Sequence, residues 1–217
     1  MMKVLYIRLE RIVLNRKRIA LCILLVTSAL LAACSNYKFK ESISYEIDSF
    51  TVTDHRGDTL TLDDLKGEPW LAMFIFTNCT TVCSPMTYNM ADIQSRLVEE
   101  GIENYKIVGF SVDPENDTPE VMAEYLQRHT VPDESKWHYV TGYDQKFIEQ
   151  FAANSFHALA KKVEGNDQVA HSISFFLVDE KGVAVKHYTG SSTLADGVPK
   201  DTIVVDLDTL IEERLKK

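Results

Sequence analysis

Seven consecutive apolar residues, Trp70-Leu-Ala-Met-Phe-Ile-Phe76, constrain this chain more than any other stretch. A strand with one wet face alternates in polarity; an unbroken run must be covered on both faces, which calls for a sheet with helices on its two sides. The flanking periods agree. Phe50 to Leu62 alternates on both sides of a turn at Gly57, the pattern of a hairpin. Met86, Met90, Ile93 and Leu97 recur at spacings of three and four, which predicts a helix from about Pro85 to Glu100 with Gly101 as its stop. Lys106–Ser111 reads as a strand, and Thr118, Pro119 and Glu120 as a helix start leading to about His129. Trp137–Thr141 is a further strand, Gln145–Asn154 a helix, and Ile173–Val178 with Val183–Tyr188 a hairpin about Asp179 to Gly182. A last helix spans about Lys200 to Leu215. This order describes one mixed α/β domain, a central sheet flanked by helices, without repeats or a second domain boundary.

The N-terminus belongs to a different class of segment. Arg8, Arg11, Arg16, Lys17 and Arg18 precede an uncharged stretch from Ile19 to Ala33, which ends in Leu31-Ala-Ala-Cys34. A basic region, a short apolar region and small residues at a cut are the layout of an export signal. The apolar stretch falls short of the roughly 20 residues that span a bilayer, which favours a cleaved signal over a retained anchor. Leu-Ala-Ala-Cys is similar to the bacterial lipobox, whose cysteine becomes the lipid-modified first residue. The chain then divides into a signal over residues 1–33, a tether over 34–44 and a domain over 45–217, lipid-anchored through Cys34 on the outer face of the cytoplasmic membrane. Cleaved or retained, the basic flank stays inside and the remainder is exported to an oxidising compartment.

Export changes the charge. The whole chain carries 23 basic and 32 acidic residues, net -9. Residues 1–33 hold six of the basic and one of the acidic side chains, leaving 17 against 31, net -14. No basic face remains to neutralise phosphates, so a nucleic-acid partner is excluded. Of the four cysteines, Cys22 leaves with the signal and Cys34 is acylated, so Cys79 and Cys83 remain for chemistry.

That pair lies in Phe76-Thr-Asn-Cys79-Thr-Thr-Val-Cys83-Ser-Pro-Met86, between the buried strand and a helix, where open α/β sheets place their sites. A helix N-terminus there favours the thiolate of Cys83 and lowers its pKa. The spacing is C-x3-C. Residues four apart on a helix have Cβ atoms about 5–6 Å apart, whereas a disulfide wants about 3.5–4.5 Å. A relaxed disulfide therefore needs Cys79 in the loop before the helix, and the wider separation suits two thiolates on one soft metal ion. A dithiol able to chelate or to oxidise is the expectation. A third ligand would come from His55, His129, His138, His157, His171 or His187; His171 stands out because it directly precedes an apolar strand. Met86 and Met90 fall on one helical face and read as core.

The span from about Asp48 to Gly190 resembles the Sco/SenC family of copper-binding, thioredoxin-fold proteins. The resemblance rests on Phe74-x-Phe-Thr-Asn-Cys79-x3-Cys83 with Pro85-Met86, on Ser111-Val-Asp113-Pro114-Glu-Asn-Asp117-Thr118-Pro119-Glu120, on Thr141-Gly142, and on His171 followed by Ser174-Phe-Phe-Leu-Val-Asp179-x2-Gly182. It implies a thioredoxin-like α/β fold with an N-terminal and an inserted hairpin, and copper held by Cys79, Cys83 and His171. It also implies a role in building the dinuclear copper centre of cytochrome c oxidase, with copper and oxidase subunit II as partners. Two departures stand out: Thr80 and Ser84 occupy positions that are often proline, and Ala170 one that is often acidic. Asp113 is the remaining acidic candidate for supporting the ligands or handling protons. The rival readings are a thiol–disulfide oxidoreductase that keeps the oxidase subunit's cysteines reduced, and a redox sensor; whether the protein is an enzyme stays open.

Overall fold

The computed structural model describes residues 38–191 and 197–216. The signal, Cys22 and Cys34 lie outside these residues. Ten strands and five α-helices follow one another: β1 (Tyr45–Glu46), β2 (Thr51–Asp54), β3 (Thr59–Thr61), α1 (Leu62–Leu65), β4 (Trp70–Ile75), α2 (Cys83–Glu99), β5 (Lys106–Ser111), α3 (Pro119–Gln127), β6 (Trp137–Thr141), α4 (Gln145–Phe156), β7 (Ala160–Lys162), β8 (Val169–His171), β9 (Ser174–Val178), β10 (Val183–Thr189) and α5 (Lys200–Arg214). Eight strands form one sheet in the order β1-β10-β9-β4-β5-β6-β2-β3, and β7 and β8 pair apart from it.

β4 sits mid-sheet, parallel to β5 and antiparallel to β9, and every residue of Trp70–Ile75 is at most 1% exposed. The apolar run is thus the covered strand its sequence implies. Phe74, Phe110, Phe156 and Phe176 meet at ring-centroid distances of 5.0–6.3 Å in one aromatic cluster across the sheet. β5 approaches β6 closely at Gly109, where a Cβ would fall 2.4 Å from the buried Tyr139 ring; only glycine fits.

Local sequence explains most helix starts. Thr61 and Asp64 cap α1 reciprocally, Thr118 caps α3 with Pro119 behind it, and Asp144 caps α4. α2 begins at Cys83, two residues before the expected Pro85, and proline is tolerated there because first-turn N–H groups have no helical partner. Its N-cap Val82 offers no side-chain bond. Met86 and Met90 are fully buried in the core, as their spacing implied.

The end of the expected tether lies against the domain. The Ser42 and Ile43 N–H groups donate to the Val185 carbonyl, and Phe39 lies beneath Lys186 and Arg214, at 4.9 and 5.8 Å from its ring centroid. Among the described residues no helix is long and apolar enough to cross a membrane.

Candidate metal centre

The C-terminal end of β4 leads into the loop Thr77–Val82, which delivers Cys79 to the start of α2; Cys83 is the first residue of that helix. Cys79 therefore lies before the helix, as a relaxed bond or a shared metal both require. Cys79 is partly exposed and Cys83 fully buried, and neither is oxidised. The Cys83 backbone N–H donates to the Cys79 sulfur at 3.4 Å, so a thiolate stands where α2 lacks an ordinary side-chain cap.

The third group arrives from 88 residues downstream of Cys83. His171 closes β8, and its Nε2 lies 3.3 Å from the Cys83 sulfur. Its Nδ1 lies 2.9 Å from the Ser172 carbonyl oxygen, which can only accept, so Nδ1 carries the proton. Nε2 is thereby left with its lone pair facing the sulfurs. The Phe76 ring meets the imidazole edge-on with centroids 5.7 Å apart. Two sulfurs and one imidazole nitrogen all fall within 4.8 Å of one another, the single such group among the described residues. A cavity of about 360 Å³, lined by Phe76, Cys79, Thr80, Val163, Val169 and His171, opens Cys79 and His171 to solvent, with Cys83 buried behind them.

The two thiols are not equivalent. Donation from the Cys83 thiol, the largest cause, holds Cys79 down at about 3 against the opposing effect of burial, and the N–H groups of Thr81 and Cys83 add to it. Cys83 moves up, rather than down as the helix N-terminus leads one to expect: burial first, then its hydrogen bond to the Cys79 sulfur, push its thiol far above the ordinary range. The metal-free pair is one exposed thiolate beside one buried thiol. Two soft sulfurs with a neutral imidazole fit copper, since thiolates suit Cu(I) and imidazole accommodates Cu(II).

His55, His129, His138, His157 and His187 lie elsewhere. His129 accepts from Ser84, and His138 faces Asp54 at 3.1 Å. Asp113 is fully buried; its carboxylate accepts from the Asn116 amide and its backbone N–H donates to the Ser111 hydroxyl, away from the three donors. The acidic residue that reaches the cysteine loop is Asp117, which the sequence reading passed over. It accepts from the Thr77 hydroxyl at 2.6 Å, the Thr77 N–H at 3.2 Å and the Ser111 hydroxyl at 2.5 Å, and burial pushes its carboxyl up. Its place four residues after Asp113, ahead of the helix-capping Thr118, was the available signal.

A family model described as SCO1/SenC matches residues 40–202. The chain is 43% identical over 177 residues to the SCO1 protein homolog of Bacillus subtilis (strain 168), covering 82% of this chain and 89% of that protein. Among solved structures it is similar to BsSco, described as a member of the Sco family of cytochrome c oxidase assembly proteins with a disulfide switch. That likeness has 42% identity and a TM-score of 0.71, and covers 80% of this chain and 98% of that one. Bradyrhizobium japonicum ScoI with copper bound is 27% identical with a TM-score of 0.62, covering 75% and 98%.

Proposed function

The chain belongs to the SCO1/SenC family, and from that premise we propose that it carries copper to a cytochrome c oxidase under assembly, using Cys79, Cys83 and His171 as ligands. One observation carries this reading: three donors suited to copper, remote in sequence, converge within 4.8 Å. Further support comes from a relative with copper bound and another described as an oxidase assembly protein.

Copper is the cargo, and the residues divide the work. The Cys79 thiolate is exposed and charged, so it makes the first contact with the incoming cation. Cys83 must lose its proton to become the second sulfur ligand, and that proton leaves to solvent, because the His171 Nε2 lone pair, 3.3 Å away, is itself the third ligand. Oxidation of the pair to a disulfide removes both thiolates, so the redox state of the compartment sets loading. The lipobox-like Leu31-Ala-Ala-Cys34 supports a domain tethered by lipid to the outer face of the membrane, with the oxidase subunit II as recipient.

The asymmetric thiols support a second reading, a dithiol reductase. Cys79 attacks a sulfur of the recipient's disulfide and forms a mixed disulfide; Cys83, on losing its proton, then attacks the Cys79 sulfur and releases the recipient as a dithiol. Two electrons leave the pair, which ends oxidised.

Copper titration of the reduced full chain tests the first reading. One equivalent is expected, with a thiolate-to-Cu(II) charge-transfer band, and equal affinity in Cys79→Ser and wild type would refute the ligand set. His171→Ala separates the two readings. If it abolishes copper binding yet leaves oxidase assembly intact in cells, copper delivery is wrong and the reductase stands.

A further inference from the structure

Two of the proposed donors and the third stand on separately built parts of the fold. Cys79 and Cys83 follow directly from the central strand β4, whereas His171 rides on β8, which among the described residues pairs with β7 alone. Its backbone tie to the main sheet is the chain itself, which enters β9 at Ser174, so strand pairing fixes the imidazole against the sulfurs on that side only.

Side chains hold the hairpin elsewhere, and Lys162 is the most connected of them. It lies opposite Val169, two residues before His171. Its backbone N–H donates to Glu149 of α4 at 3.3 Å. Its ammonium reaches the β5–α3 loop, where it lies 2.5 Å from Glu115 Oε2 and 3.6 Å from Asp113 Oδ1. Asp113 is buried; its Oδ2 accepts from Asn116, while Oδ1 has no hydrogen-bond partner and faces this one ammonium. Farther along the hairpin, the Gln168 amide donates to the Asn78 carbonyl, in the residue before Cys79. Both moorings lie at the turn end of the hairpin, one to the loop after β5 and one to the cysteine loop, while His171 pairs with Ala160 at its open end.

We propose that Lys162 is a positioning residue for copper: by mooring the β7–β8 hairpin to Asp113 and Glu115, it sets how closely His171 approaches the two sulfurs. This rests on the Cys2His reading. Lys162 touches no donor, so its whole effect on the metal passes through the imidazole. Removing its charge while keeping its length leaves the hairpin hydrogen bonds intact but frees the mooring, and the nitrogen donor is then held in place less often. Substitutions behind a ligand typically lower metal affinity about 10–100-fold.

The test is Cu(II) titration of the reduced full chain against a competing chelator, for wild type, Lys162→Met, His171→Ala and the double variant. Lys162→Met is expected to weaken Cu(II) binding about tenfold and shift the charge-transfer band, and Lys162→Arg to restore both. In the His171→Ala background, Lys162→Met should have no further effect. Unchanged affinity in Lys162→Met, or the same loss with and without His171, overturns the proposal. Should His171→Ala alone bind like wild type, the ligand set itself fails, and the proposal with it. Glu115→Gln, at a side chain 64% exposed, guards against misfolding and should weaken binding in the same direction. A metal-free readout accompanies it: amide exchange over residues 160–171 should quicken in Lys162→Met while that of β4 stays unchanged, and equal exchange in both proteins would overturn the mooring.

Discussion

The inequality of the two thiols yields a sharp prediction for the reduced, metal-free chain. Cys79 is held down at about 3, first by donation from the Cys83 thiol. At pH 6 it is fully ionised, while an ordinary thiol near 8.5 is only about 0.3% thiolate, a difference of about 300-fold. Nucleophilicity falls with basicity, however, and with a Brønsted slope of about 0.4–0.5 a drop of about 5.5 units costs roughly 200–600-fold per thiolate. The two effects nearly cancel, so the absolute alkylation rate at pH 6 says little. The pH profile decides. Between pH 8 and pH 5 an ordinary thiol slows about a thousandfold, whereas Cys79 should change less than about twofold. Cys83, buried and shifted up, should stay unlabelled throughout. Iodoacetamide pulses on the full chain, read by peptide mass with a small thiol as internal reference, measure both. Cys83→Ala removes the foremost cause of the shift and should return a tenfold-per-unit slope to part of the range. A Cys79 rate that falls a thousandfold from pH 8 to pH 5 in the unsubstituted chain would refute the assignment.

Three further outcomes follow from the packing and the titrating groups. Gly109→Ala places a Cβ 2.4 Å from the Tyr139 ring, so overpacking of about 3 kcal/mol should lower the Tm by about 6–12 °C; a change under 2 °C would contradict the fit. Burial, as the largest cause, lowers the pKa of His55, His129 and His138 from 6.5. Their contribution is therefore fully present above pH 6.5 and is lost as pH falls below it, so denaturant midpoints should drop from pH 7.5 to 5.5. His138→Gln should make that slope shallower, and an unaltered slope would remove this histidine from the account. Phe39→Ala strips a partly buried ring from beneath Lys186 and Arg214 and should destabilise the domain by about 1–2 kcal/mol, measured by urea unfolding; no loss would show that the segment before β1 merely rests there.

Most of the sheet was legible because its elements are long enough to show a period. Trp70–Ile75 announced itself by lacking one, and the spacing of Met86, Met90, Ile93 and Leu97 marked α2. What escaped was short. β7 and β8 are three residues each, Ala-Lys-Lys and Val-Ala-His, too brief for alternation to register, yet they carry the third donor. Its place before an apolar strand drew notice to His171, but only the family resemblance put it with the cysteines, since no local pattern ties a residue to a partner 88 positions away. Between the two aspartates, sequence offered Asp113 as the remaining acidic candidate; the structure puts Asp117 on Thr77 instead. That difference is tertiary, set by where the β5–α3 loop folds back on the strand-end loop.

The sulfur that begins α2 links oxidation to a helix–coil equilibrium. Val82 supplies no cap, and the Cys83 N–H is answered by the Cys79 sulfur alone. A thiolate answers it well, since a full charge sits against the positive end of the helix. In a disulfide, or once alkylated, the same sulfur is neutral and the first turn loses its anion. Oxidation is thereby linked to the stability of the turn from Cys83 to Met86, by roughly the 0.3–2 kcal/mol that a charge at a helix end contributes.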